Sequence, residues 1–178
     1  MADSTIPPLN TATVRRRLGA MLYDALLLLS VQFLAIAVFL MATPARQSAT
    51  YDHALRFFLF LVAAAYFIHF WRDSGHTLAM KTWRIKLIKP GHAVLPLRVA
   101  ALRFLLAWAW FLPGLVACYA LHLPAKRDVV GIAVVMLANI GLLALTAFLD
   151  RDRQFLHDKL LGTRLIQLPK PTPPARAA

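Results

Sequence analysis

Asp24 lies seven residues beyond Arg17, the last of three consecutive arginines (Arg15, Arg16, Arg17), inside the longest apolar run of the chain. From Leu18 to Thr43 that run holds 26 residues and one charged side chain. A carboxylate inside a bilayer costs roughly 2.5–3.5 kcal/mol at a helix centre and less toward the edge. Two kinds of chemistry offset such a cost. An intramembrane acid can exchange a proton or a cation, as acids do in carriers. Alternatively, it can bond across a helix interface and fix which helices meet. Arg17 shares a helix face with Asp24 but sits about 10 Å away along the axis at 1.5 Å per residue. That separation is too great for a direct ion pair, and the Arg17 side chain can reach out to the headgroups instead. The partner expected for Asp24 is therefore Arg103 or His69, each near the end of another apolar segment.

His157 and Asp158 form the other reactive pair. One His-Asp dipeptide is a weak metal signal without further ligands, and His53, His76, His92 and His122 are scattered along the chain. No nucleophile motif, phosphate loop or cofactor fingerprint is present. The expectation is a protein that is not an enzyme, holds no metal and needs no cofactor. Asp158 then has a hydrogen-bonding role, tying its segment to basic residues beneath a helical bundle. The single cysteine, Cys118, excludes an intramolecular disulfide.

The elements that must carry these residues are apolar helices. The chain is 60% hydrophobic and only 16% charged, too few charges to cover a soluble domain of 178 residues. About 20 apolar residues span a bilayer, and four segments qualify: 18–43, 54–71, 99–123 and 129–149. The first is too long for the 7–15-residue apolar region of a signal peptide, so it reads as an uncleaved span. Pro113-Gly114 should kink the third, because proline lacks the N–H and clashes with the preceding turn. Asn139, the strongly polar residue of the fourth, should bond another helix.

With four spans, 16 of the 20 Lys and Arg residues fall on one face. Only Arg46, Arg56, Lys126 and Arg127 fall on the other. That bias puts both termini in the cytoplasm of a cell (inner) membrane protein. The net charge of +12 reflects membrane orientation rather than nucleic acid, since the basic residues lie between apolar segments. The expected partners are anionic lipids at the cytoplasmic face and a second membrane protein or further copies of the chain. Residues 1–12 and the proline-rich 169–178 read as disordered tails flanking a transmembrane domain, 13–168.

Two segments repeat. Thr77–Ile88 and Phe155–Ile166 align without gaps, sharing a leucine (78/156), a lysine (81/159), a basic residue (86/164) and a Leu-Ile pair (87–88/165–166). Each follows a helical hairpin that opens with an arginine, Arg17 or Arg103. The fold class expected is an all-α membrane protein: four transmembrane helices as two parallel helical-hairpin repeats. Each repeat ends in a short cytoplasmic amphipathic or hairpin element. Thr82–Lys89, followed by the turn signal Pro90-Gly91, reads as a short local hairpin, with Thr77–Trp83 as an interfacial helix in the alternative. With Arg17 set on Arg103, Asp24 matches Trp110, and in the alignment of the two segments Asp158 matches Met80, so each half keeps one acid that the other lacks.

Together these residues resemble the RDD family of integral membrane proteins, named for one arginine and two aspartates. Arg17-Leu18-Gly19-Ala20-Met21-Leu22-Tyr23-Asp24 looks like the family's opening. Gly75-His76-Thr77-Leu78 with Lys81 is similar to its Gly-x-Thr-Leu-Gly-Lys loop, with Ala79 in place of the second glycine and the lysine displaced by Met80. Gln154 with His157-Asp158 resembles its C-terminal Gln-x-x-His-Asp element, which makes Asp158 the choice for the second aspartate. The resemblance covers about residues 14–168. It implies a role in transport, including proton or sodium exchange, with Asp24 as the intramembrane acid. Other relatives look like components of membrane assemblies, which implies an adaptor in which Asp24 and a basic partner only fix helix packing.

Overall fold

The structure, a computed structural model, describes residues 11–43, 48–149 and 155–169. Helix α1 (Val14–Ala42) turns into α2 (Ala49–Asp73), then into a five-residue helix α3 (Leu78–Thr82) and strand β1 (Ile85–Ile88). The order then recurs. Helices α4 (Leu97–Ala109) and α5 (Leu112–Ala120) precede α6 (Val129–Leu149), a short α7 (Leu156–Leu161) and strand β2 (Arg164–Gln167).

Among the described residues three helical rods are long and apolar enough to cross a membrane: α1, α2 and the interrupted rod Leu97–Ala120. Within the most apolar window of α1 only 6% of residues are buried inside the protein. Leu22, Phe33 and Leu34 stand largely exposed, a face that suits lipid and not water. The α6 helix matches the fourth segment residue for residue. Helix α1 begins at Val14, one turn before the expected start, so Arg17 lies inside the helix rather than ahead of it.

The break between α4 and α5 follows from Pro113. Around it Trp110 and Phe111 donate to carbonyls three residues back, Ala107 and Trp108, in tightened turns. The Trp110 carbonyl accepts the Asn139 side-chain amide at 2.8 Å instead. That is the interhelical bond expected of Asn139, and it compensates a disrupted helix in a medium without water. Gly114 lets α6 close on this break, since a Cβ there would come within 2.9 Å of Met136 Sδ.

At one end of the bundle α3, β1, α7 and β2 form a layer. The expected local hairpin at Thr82–Lys89 does not form. The turn at Pro90-Gly91 is present, with His92 N–H donating to the Lys89 carbonyl at 3.1 Å, but β1 pairs antiparallel with β2, far along the chain. Leu87 faces Leu165, Lys86 faces Ile166 and Ile88 faces Arg164. The physical reason is burial: Ile85, Leu87 and Leu165 join one buried cluster with Trp71 and Phe104, which a solvent-facing hairpin could not achieve. Thr77–Trp83 takes the other reading, a short helix with Thr77 as N-cap.

The pairing is symmetric in the repeat alignment. Leu87 and Leu165 are equivalent positions, and they oppose each other. Lys86 opposes Ile166, and Ile88, the equivalent of Ile166, opposes Arg164, the equivalent of Lys86. On the outer edge of β2, Thr11 pairs with Ile166 and Ala12 N–H donates to the Leu165 carbonyl at 2.9 Å. Residues 11 and 12, assigned to the N-terminal tail on sequence grounds, therefore belong to the folded layer. Most residues of the two expected tails lie outside the described residues.

A buried polar cluster above the two-stranded layer

Five charged or titratable side chains meet where α1, α2 and α4 descend onto the layer. Arg17 is 2% exposed, Asp24 6%, Arg103 6%, His157 5% and Asp158 1%. Burial of this degree is tolerated only with compensation, and each group here has partners.

Arg103 and Asp158 are the central pair. Arg103 Nε donates to Asp158 Oδ1 at 3.0 Å. Thr163 Oγ1 donates to the same oxygen at 3.0 Å. The Arg103 guanidinium carbon lies 4.3 Å from the Trp71 ring centroid, a cation–π contact that uses its free face. Asp158 reaches this position because α7 is cut short: Gly162 adopts the left-handed conformation at φ 63°, and Thr163 N–H returns to the Asp158 carbonyl at 2.9 Å. Burial pushes the Asp158 carboxyl up, but the Arg103 guanidinium, His157 and the hydrogen bonds overcome it and hold the group below the usual carboxylate range.

His157 stacks on Phe155, centroids 5.8 Å apart and planes 9° apart, with Trp110 edge-on at 5.3 Å. Burial lowers its pKa to about 4, against the attraction of Asp158 and helped by Arg103 and Arg17. Its Nε2 lies 3.6 Å from Asp158 Oδ1. At neutral pH that contact joins a neutral imidazole to a carboxylate and is not an ion pair.

The partner of Asp24 is neither of the two expected. Thr77 Oγ1 donates to Asp24 Oδ2 at 2.6 Å, and Tyr66 OH donates to Oδ1 at 3.2 Å. Arg103 is committed to Asp158, and His69 is exposed, edge-on to Phe70. The cause is the docking of α3 against α1, which carries the Thr77 hydroxyl to the acid. The same hydroxyl accepts from Met80 N–H at 3.2 Å, using both of its capacities. Arg17 donates from Nε to the Ala12 carbonyl at 2.7 Å and lies 5.7 Å from the Phe155 ring centroid.

Sequence reasoning thus found Arg17, Asp24, Arg103, His157 and Asp158, which the fold gathers at one end of the bundle, and it added His69, which the fold leaves out. It missed Tyr66, Thr77, Thr163 and Trp71. Thr77, two residues after Gly75, and Thr163, directly after Gly162, were legible from those glycines; Tyr66 and Trp71 carry no local signal. Among the described residues no group of three His, Cys, Asp or Glu side chains is placed to hold a metal ion.

A cavity of about 390 Å³ opens above this cluster. Arg17, Asp24, Arg103 and His157 are its charged or titratable walls, and the rest of its lining is almost entirely apolar and aromatic.

Apolar helices around a buried ion cluster, closed at one end by a small two-stranded layer, define an integral membrane protein. The RDD family model matches residues 11–162, so the chain belongs to the RDD family. The matched region begins at Thr11, the first of the described residues. Searches of curated proteins and of solved structures find no match.

Proposed function

We propose that the protein is a multi-pass carrier of the cell membrane that exchanges a proton, a cation or a small solute at Asp24. One observation carries this reading. Asp24 faces the cavity, and no cationic side chain lies within ion-pair distance of it among the described residues. Its donors are uncharged hydroxyls, and Arg103, which attracts it from farther off, is hydrogen-bonded to Asp158, so a direct cationic partner can come from whatever occupies the cavity. Intramembrane acids in such positions mark ion pathways.

The architecture that goes with this reading is four spans in two parallel hairpin repeats. The recurrence α1-α2-α3-β1 and α4/α5-α6-α7-β2, and the symmetric register about Leu87 and Leu165, are what a twofold axis along the membrane normal would produce. The 16-to-4 distribution of Lys and Arg supports placing the two-stranded layer and both termini in the cytoplasm. There Arg15, Arg16 and Lys81, all exposed, would meet anionic headgroups. A thin four-helix unit with one deep acid favours a homo-oligomer. No step of this reading requires enzymatic chemistry.

A second reading has its own support. The hydroxyls that bond Asp24 come from α2 and from the segment entering α3, so the acid also fixes how three elements meet. On that account the protein is a membrane adaptor and the contact is only structural. D24N distinguishes the two. In proteoliposomes holding only this protein, the carrier reading expects pH- or sodium-driven flux in the native chain and none in D24N, with equal amounts of folded protein. Undiminished flux in D24N refutes the carrier role of Asp24, and loss of folded D24N supports the adaptor.

A further inference from the structure

Resting on the carrier reading, we propose that the cavity binds an organic monocation with an apolar, preferably aromatic, body, its charge directed at Asp24. The dimensions suit a small molecule: about 390 Å³ lies within the roughly 300–1,000 Å³ of ligand pockets. An inorganic cation stripped of water needs about six hard oxygen ligands at close range. The hydroxyls that bond Asp24, those of Thr77 and Tyr66, lie outside the lining, and apart from Arg17, Asp24, Arg103 and His157 the wall is apolar and aromatic. A soft cation is served differently. Phe67, Trp71, Phe104, Trp108, Trp110 and Phe111 all line the space, and aromatic faces attract cations by their quadrupole. One of them already does so, since Trp71 holds the Arg103 guanidinium at 4.3 Å.

Charge complementarity selects the sign. A carboxylate has about four lone-pair sites, and Asp24 uses two of them on neutral donors. The arginines on the cavity floor argue for an anion, but Arg103 is neutralised by Asp158 at 3.0 Å. Arg17 turns its Nε toward the Ala12 carbonyl and lies over Phe155. Asp24 has no opposite side chain within ion-pair distance among the described residues. Arg103 attracts it only from beyond ion-pair distance and is itself hydrogen-bonded to Asp158, so a proton or a cationic occupant can supply the direct partner that Asp24 lacks.

The cavity carries its own reporter, because three of the four tryptophans, Trp71, Trp108 and Trp110, line it. Full-length protein in detergent micelles at neutral pH is titrated with phenyltrimethylammonium, whose charge is permanent, with benzenesulfonate as the anion of similar size and sodium chloride as the ionic-strength control. The expected result is saturable quenching by the cation, no competition by benzenesulfonate, and binding weakened about tenfold or more in D24N. If D24N does not fold, the comparison of cation with anion on the native protein decides alone. Saturable binding of benzenesulfonate without the cation, or equal cation binding by folded D24N, overturns the proposal. Proton or sodium flux in proteoliposomes without cation binding sinks this inference and leaves the carrier reading intact. Cation binding without any flux supports the site and removes the carrier.

Discussion

Acidification should loosen this protein through His157. The imidazole is neutral in the folded protein down to about 4, whereas an imidazole in the unfolded chain takes up a proton near 6.5. Between those values the unfolded chain binds a proton that the folded one refuses, so stability rises with pH across the window and is complete above about 6.5. The difference amounts to up to about 3 kcal/mol, at 1.36 kcal/mol per pH unit. Asp158 acts in the same direction but lower down: its depressed folded pKa means its contribution is lost only as pH falls below the ordinary carboxylate value near 4. Unfolding in micelles, followed by tryptophan fluorescence at pH about 7 and about 4.5, isolates the histidine. H157F keeps a flat ring on Phe155 and removes the titration. The native protein should lose stability on acidification and H157F should lose much less. Equal losses in both, or none in the native protein, would refute the assignment of a neutral, buried imidazole.

Breaking the Arg103–Asp158 pair from one side should be severe: D158N leaves a buried guanidinium uncompensated at about 3–5 kcal/mol, and R103M/D158M should recover most of it in a double-mutant cycle of unfolding. Additive losses would show that the pair is not coupled. N139L removes the bond to the Trp110 carbonyl and should cost about 0.6 kcal/mol, at most about 1.7; a much larger loss in the same unfolding assay would mean the α5–α6 contact depends on Asn139 in another way. Leu87 N–H goes to the Gly75 carbonyl and the Leu165 carbonyl to Ala12, so 87 and 165 oppose each other as a non-hydrogen-bonded pair with Cα atoms about 4.5 Å apart. L87C/L165C in a C118S background should therefore oxidise to an intramolecular cross-link with altered gel mobility, and cross-linking only between chains would contradict the register.

What was legible in the sequence followed from local physics. The apolar runs gave the helices because length and hydropathy are local properties, and Pro113 gave the break because its missing N–H acts on its own turn. The recurrence of Leu-Ile at 87–88 and 165–166 announced a relation between two segments, but not that they would pair, since strand partnership depends on burial against the bundle. The partner of Asp24 was misread for a related reason. Arg103 and His69 were chosen by charge and approximate depth, whereas the docking of α3 and α7 decided the matter by delivering a hydroxyl to one acid and a guanidinium to the other. Neutral donors such as Tyr66 leave no trace in a charge pattern.

The position of Asp158 near the end of the chain bears on how the molecule is made. Arg103 enters the membrane with α4 more than fifty residues before its carboxylate is synthesised, and β1 is complete long before β2 exists to pair with it. Through the synthesis of α5 and α6 the ribosome-bound protein therefore carries an unneutralised guanidinium and an open strand edge. Its assembly waits for the last element, so a chain interrupted after α6 would keep its helices yet fail to lock them together.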